Sequence, residues 1–312
     1  MAETTSSART KRRVDGVLLL DKPRGLSSNA TLQRAKRLYR AEKAGHTGTL
    51  DPLATGLLPI CFGEATKFAH LLLDADKSYV ATLRLGTTTT TGDAEGEVIA
   101  TRAVAASRGD FEAVLPRFIG RIAQVPPRYS ALKRDGRKYY EYAREGIDIV
   151  RTAREVEVRA IALISWRAPE VELSVRCGKG TYIRVLAEDI GETLGCGAHL
   201  SALSRTAAGG FALADAIALD ALEQCTESER DAALLPVDAL VTGLDRLDFD
   251  AADAIRLVQG RPVACAGVGD GLVRVYAAGA FAGVADVSDG VVQARRLVAQ
   301  TSGRAETGAS PA

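Results

Sequence analysis

Asp51 is the residue of this 312-residue chain that first suggests chemistry. It lies in GHTGTLDPLATGLLP, Gly45 to Pro59, where glycine, proline and apolar residues surround a single carboxylate and His46 stands five residues ahead. Three uses of such a loop compete. Cradling a phosphate needs G-x-x-x-x-G-K-[ST], and no Lys-Ser or Lys-Thr follows Gly56, so that use is removed. The plainest alternative is an Asx-type turn, in which Asp51 accepts from nearby backbone N–H groups ahead of Pro52. The third use is a catalytic carboxylate held in a pre-organised loop. No second acid is evident beside Asp51 in the sequence, so glycosidase-type paired carboxylates do not fit, and a nucleophile fits better.

The rest of the composition narrows the chemistry. Histidines occur only at 46, 70 and 199, none at metal-ligand spacing from another donor, so no metal is expected. The five cysteines are widely spaced without a C-x-x-C and read as reduced thiols of a cytoplasmic protein. No apolar run approaches the roughly 18 to 20 residues that cross a bilayer, and the basic N-terminus has no apolar stretch behind it, so neither a membrane span nor a signal peptide is expected. The net charge of +1 conceals an asymmetry. Residues 1–184 carry 31 Lys and Arg against 21 Asp and Glu, whereas residues 185–312 carry 9 against 18. A first part with a balance of +10 suits contact with a polyanion, although an unevenly charged solvated surface would give the same count.

The elements that must position Asp51 can be read from periodicity. VDGVLLLDKP reads as a buried strand ended by Pro23, and Ser27 or Ser28 caps a helix with Leu32, Ala35, Leu38 and Tyr39 on its apolar side. LLPICFG reads as a strand and EATKFAHLLLDADK as one helix. SYVATLRLG alternates, placing Tyr79, Ala81, Leu83 and Leu85 on one face. TTTTTGDAEGEVIA is turn chemistry between short extended pieces, and Ser107 to Ile119 a short helix. VEVRAIALISW and VELSVRC are strands; after CGKG the period changes to 3.6, with Ile183, Leu186, Ile190 and Leu194 on one face. Helices are expected near 214–223 and 228–235, and short Val- and Gly-rich pieces from 246 onward suggest a small β-barrel module. Long helical crossovers are too few for a doubly wound sheet.

GHTGTLDPLATGLLPICFGEATKF resembles the signature of the TruB family, bacterial tRNA pseudouridine-55 synthases. VLLLDKPRGLSS, KSYVATLRLGTTTTTGDAEGE, QVPPRYSALKRDGRKYYEYAREG, CGKGTYIRVLAEDIGETLGCGAHLSALSRTAAG and the closing GLVRV…RRLV also match in order, over roughly residues 14–300. The resemblance implies an α+β pseudouridine-synthase fold, a mixed, largely antiparallel sheet with flanking helices, plus a small C-terminal β-barrel of PUA type. It implies a catalytic domain at 14–245, a thumb insertion at 125–150 and a PUA-like domain at 246–303, while the polar, small and unpatterned ends at 1–13 and 304–312 read as disordered tails. Asp51 becomes the nucleophile, attacking uracil C6 or ribose C1′, with Arg184 as the cation that keeps it charged. Tyr182 contacts the target base, Tyr79 stacks on the flipped uracil, Leu203 lines the uracil pocket and His46 fills space near the extruded nucleotides. Lys22 with Pro23 supports the pocket floor. Because Tyr182 and Arg184 are two residues apart, both reach one site only if Tyr182 lies at the helix start. The isomerisation requires no cofactor.

The implied substrate must leave its stack before an enclosed carboxylate can touch it. Residues 125–146 suit that task, with Arg128, Lys133, Arg134, Arg137 and Lys138 for phosphates and Tyr139, Tyr140 and Tyr142 as stacking or packing faces. The partner implied is the T arm of tRNA. Related dyskerin-type enzymes use a guide RNA and partner proteins, whereas this chain carries the bacterial GRKYYEYAREG insertion and lacks long basic extensions. A stand-alone monomer, with no guide RNA, is the expectation.

Overall fold

The apolar run GVLLLDK forms β1 (Gly16–Lys22) in the computed structural model, which describes residues 10–265 and 267–299. Ser27 accepts from Ala30 N and starts α1 (Ser28–Leu38), which buries Leu32 and Ala35. Then come β2 (Ala44–His46), β3 (Thr55–Phe62), α2 (Ala69–Leu73), β4 (Lys77–Leu85), β5 (Thr87–Thr89) and β6 (Val98–Thr101). The Ser107 capping box opens α3 (Arg108–Val114), which precedes β7 (Gly120–Gln124). The basic insertion folds as a hairpin, β8 (Lys133–Arg134) and β9 (Arg137–Lys138), followed by α4 (Tyr139–Arg144). Asp135 and Gly136 both take positive φ at its turn, as a two-residue hairpin demands. The long strands β10 (Arg154–Arg167) and β11 (Glu170–Cys177) lead to α5 (Ile183–Thr193) and β12 (Ala198–Ala208).

After β12 the chain forms β13 (Phe211–Ala212), β14 (Ile217–Ala218), α6 (Leu219–Gln224) and α7 (Glu227–Ala232). The central sheet runs β14-β1-β3-β12-β4-β11-β10-β7. Its strands are parallel at β14–β1 and β3–β12 and antiparallel at the other pairings along that path, so the mixed, largely antiparallel expectation holds. One face carries both α1, over Leu18, Leu20, Ile60 and Phe62, and α5, over Ala81, Leu83 and Leu173. Register proves the shared face: Leu20 opposes Leu58, Gly56 opposes Arg205, and Arg205 opposes Tyr79. The catalytic-loop candidate, between β2 and β3, therefore opens between the first turns of two helices on the same side.

The other face packs Val17, Leu57 and Cys61 against Phe68 and Leu72, and joins the C-terminal module through Leu272, Phe281 and Val284. That module contains β15 (Asp245–Phe249), α8 (Ala251–Val258), β16 (Val263–Ala264), β17 (Gly271–Ala277), β18 (Ala280–Ser288) and β19 (Val291–Leu297). Its sheet order, β15-β17-β18-β19-β16, is that of a half-barrel, with Leu257 of α8 in its core.

Four expectations are adjusted. The single helix over EATKFAHLLLDADK is a 3₁₀ turn and the short α2, interrupted where fully buried Phe68 turns inward to meet Phe281 at 5.4 Å. The helix near 214–223 begins only at Leu219, because Ile217 is recruited to the sheet opposite Leu20, and that near 228–235 is the shorter α7. Of the expected N-terminal tail, Arg12 is held in place: its Nε donates to the Tyr39 carbonyl at 3.0 Å and its backbone bridges Ala41. Residues 1–9 and the tail at 304–312 lie outside the described residues.

Candidate active site

The Asp51 loop is rigid because its neighbours bond into it from several elements. Ser28 at the start of α1 both donates to the Leu50 carbonyl (2.9 Å) and accepts from Leu50 N (2.7 Å). Gly25 N donates to Pro52 O, Ala54 N to Asp51 O, and Thr47 N to Pro59 O. Lys22, with no exposed surface, donates its ammonium to the carbonyls of Pro23, Leu26 and Pro52. Burial lowers the Lys22 pKa to about 8, with Asp51 pulling the other way. Gly56 closes the loop at φ +96°, and a Cβ there would lie 2.4 Å from the Arg205 carbonyl, so β3 and β12 approach this closely only through glycine.

Arg184 Nε stands 3.0 Å from Asp51 Oδ2. The side chain of Asp51 is 41% exposed while that of Arg184 is 5% exposed, so the carboxylate is open on one side and enclosed on the others. Enclosure raises the Asp51 pKa above the ordinary carboxylate range; Arg184 opposes that rise and Asp93 adds to it. The local-turn alternative is not what the carboxylate does: among the described residues its charged partner is Arg184 rather than a backbone N–H. Nor does the guanidinium offer Asp51 a fork. Its terminal nitrogens donate to the carbonyls of Thr91 (3.0 Å) and Tyr129 (2.8 Å), and Nε is shared with Asp93 at 3.6 Å.

Tyr182 is the N-cap of α5, with extended φ and ψ, which is what lets it and Arg184 address the same cleft. Gln124 fixes it there from β7, accepting from Tyr182 N at 2.9 Å and donating to Tyr182 O at 3.3 Å. On the facing strands, half-buried Tyr79 opposes Arg205. Arg205 is 1% exposed, donates to the carbonyls of Leu57 (2.7 Å) and Gly48 (3.2 Å) on both arms of the Asp51 loop, and lies against the Tyr79 hydroxyl. Burial pushes the Tyr79 pKa up, and Arg205 restrains that rise. His46 in β2 is driven toward its neutral form by burial and by Arg205, and its Nδ1 is enclosed with no hydrogen-bond partner among the described residues. Leu203 packs on the α5 core, its carbonyl accepts from Thr55 (3.4 Å), and it borders a 220 Å³ groove with Leu53 and Arg24.

Sequence reasoning missed Asp93 and Arg205. Asp93 is a second acid at the site, correcting the expectation of a solitary carboxylate; it is 3% exposed and accepts from Thr91 Oγ1 (2.5 Å) and Glu95 N (3.1 Å). Its GDAEGE turn reads locally as a turn, and only the docking of that turn at Leu200 brings it to Arg184. Arg205 sits in a strand of mixed pattern that carries no signal of a buried cation. In the thumb, Tyr139 is buried, and Arg137 and Lys138 lie over the rings of Tyr142 and Tyr140 at 4.6 and 5.3 Å.

Three family models match successive parts of the chain: TruB family pseudouridylate synthase (N terminal domain) over residues 36–183, tRNA pseudouridylate synthase B C-terminal domain over 184–242, and pseudouridine synthase II TruB, C-terminal, over 246–298. A tRNA pseudouridine synthase B of Burkholderia mallei (strain ATCC 23344) is 57% identical over 309 residues, covering 95% of this chain and 98% of the relative. That of Azoarcus sp. (strain BH72) is 53% identical over 294 residues, with 94% and 98% covered. Among solved structures, a Cbf5-Nop10-Gar1 complex aligns with a TM-score of 0.66 at 28% identity, covering 87% of this chain and 78% of that one. An archaeal box H/ACA sRNP Nop10-Cbf5 complex aligns at 0.67 and 25%, covering 90% and 85%. With family models along nearly all of the described residues and relatives above half identity over almost the full length, the chain belongs to the TruB family of pseudouridylate synthases.

Proposed function

We propose that this protein isomerises the T-loop uridine at position 55 of tRNA to pseudouridine, with Asp51 as the nucleophile. The observation that carries the assignment of roles is the Asp51–Arg184 contact: a carboxylate open on one side only, in a loop tied down by Lys22, Ser28 and Arg205. The reaction breaks the bond from ribose C1′ to N1, turns the freed ring and forms a bond from C1′ to C5. The proton leaves C5 and N1 gains one, so atoms balance with no oxidant or group donor. A transient covalent bond from Asp51 to C6 or to C1′ uses the same carboxylate and is broken again before product leaves.

The other side chains support that sequence. The Tyr79 ring offers a flat surface on which the flipped base turns, and its hydroxyl, beside Arg205, assists removal of the C5 proton. Tyr182 and Leu203 border the base, and neutral His46 stacks on neighbouring extruded nucleotides. The thumb holds the T arm from the α5 side. We further infer a cytoplasmic enzyme acting as a single chain, without metal or guide RNA; no described helix is long and apolar enough to cross a membrane. The two Cbf5 structures are of multi-protein complexes, whereas the Burkholderia mallei relative named as a synthase covers 95% of this chain with 98% of its own length. The test is to incubate the pure protein with unmodified tRNA and no added metal, then map pseudouridine chemically. Product at position 55 is expected; its absence there overturns the reading.

A further inference from the structure

A second basic region lies on the α1 side of the nucleophile loop, away from the thumb. A groove of about 680 Å³ runs between the N-terminal segment, the end of α1 and α7, rimmed by Lys11, Lys36, Arg37, Arg40, Arg230 and Glu227. Its one carboxylate is already taken, Glu227 accepting from Arg40 at 2.6 Å and lying 3.2 Å from Arg12. Lys11, Lys36 and Arg37 make no ion pair among the described residues, and the Nε of Arg230 is buried with no acceptor. Two of these cations stand in the last turn of α1, where they offset the helix dipole. That need is only about half a charge, and the groove holds five cations. Arg40 even occupies a left-handed conformation, φ +50°, directly after the helix, a place that glycine fills with less strain.

We propose that this groove grips the sugar-phosphate backbone of the substrate tRNA outside its T arm, an inference that rests on tRNA being the substrate. Charge complementarity selects a polyanion, and geometry selects which part of it. The thumb reaches the cleft through Tyr129, and β7, which leads into it, through Gln124, both on the α5 side. The groove lies at the far end of α1, nine residues beyond Ser28 and so about 14 Å from the turn that holds Leu50. Both helices share one face of the sheet. An RNA whose T loop enters between them, clamped by the thumb on one flank, passes its remaining arms over the other.

The test compares two RNAs on one variant. Lys11→Gln, Lys36→Gln and Arg37→Gln are combined, leaving Arg40 and Arg230 in place, and affinity is measured against full-length tRNA and against an isolated T-arm hairpin. Full-length tRNA should bind about tenfold more weakly, with the salt dependence of log K shallower by up to about 0.7 to 0.9 for each phosphate no longer neutralised. Hairpin affinity and conversion should be unchanged. Unaltered tRNA affinity, or an equal weakening for the hairpin, would sink the proposal. If wild-type protein converts neither RNA, the substrate reading fails instead, and it does so independently of the groove variant.

Discussion

The Asp51 cleft and the thumb insertion both concentrate charge, and they hold it in opposite ways. In the cleft, Arg184 and Arg205 are at most 5% exposed, and four backbone carbonyls fix their guanidinium groups. In the thumb, Arg137 pairs with Glu145 while Arg128 lies near Asp148 at 3.7 Å, and all four side chains are more than 40% exposed. Exposed pairs of this kind contribute at most about 1 kcal/mol and weaken with salt. Buried cations bonded to carbonyls cannot move without leaving unsatisfied groups behind. The cleft is therefore built to keep one geometry, whereas the exposed pairs of the thumb can be exchanged for other partners, as the proposed RNA contact requires.

The largest effect expected is on chemistry alone. Asp51→Asn should lower isomerisation by at least about 10⁴-fold, as removal of a nucleophile does. tRNA affinity should stay within about an order of magnitude, since binding rests on phosphate contacts elsewhere. Single-turnover assays beside filter binding check both, and turnover near the wild-type rate would remove Asp51 from the mechanism.

Arg184 comes next. Burial already raises the Asp51 pKa and Arg184 restrains it, so Arg184→Met should raise it further. Turnover at pH 7 then falls by up to about a hundredfold and recovers in part as pH rises, because the carboxylate must be ionised to act. Arg184→Lys restores a charge but cannot serve Asp51 and the carbonyls of Thr91 and Tyr129 together. It should lie between Met and wild type. A Met variant with an unshifted pH profile would break the contrast between cleft and thumb.

For the thumb, replacing Lys133, Arg134, Arg137 and Lys138 with alanine should weaken tRNA binding about tenfold and flatten its salt dependence. Arg137 is engaged by Glu145 and Tyr142, and Arg134 donates to the Val150 carbonyl, so part of their charge is already engaged within the protein. The flattening should accordingly be nearer that of two phosphate contacts than of four, at about 0.7 to 0.9 each. An unchanged slope would make these residues a solvated face.

How much of this was legible in the sequence follows the same division. Strands such as GVLLLDK and SYVATLRL, the Ser27 cap and the α5 stripe are local patterns, and they fold as their periodicity indicates. The Asp51 loop stood out because its glycines and prolines are local too. Asp93 and Arg205 did not, since their meaning depends on contacts with residues far away in the chain: Asp93 meets Arg184, and Arg205 meets Gly48 and Leu57. The short helices failed where tertiary pairing overrode propensity, as at Ile217. The resemblance named Arg184 without revealing that its fork is occupied by carbonyls.

The smallest effect expected is the stability cost of enclosing charge beside the cleft. Glu188 lies one turn after Arg184 on α5, with its carboxyl group against Gly92, where an added Cβ would come within 2.8 Å of it. Burial first, and Asp189 next, raise its pKa to about 7, while Arg184 pulls it down. The unfolded chain releases this proton near pH 4.5, and the folded chain keeps it until about pH 7. Over that window the native state binds more protons than the unfolded one, so the contribution of Glu188 falls as pH rises. Glu188→Gln is neutral throughout and escapes that loss. A shift of this size corresponds to about 3 kcal/mol if unscreened, and partial solvent access reduces it to roughly 1. The variant should therefore keep its low-pH relation to wild type below about pH 4.5 and gain on it by about 2 °C in Tm above pH 7. Melting curves at pH 4.5, 6 and 8 decide it: a difference that does not change with pH would show that Glu188 is as freely solvated as the thumb's carboxylates.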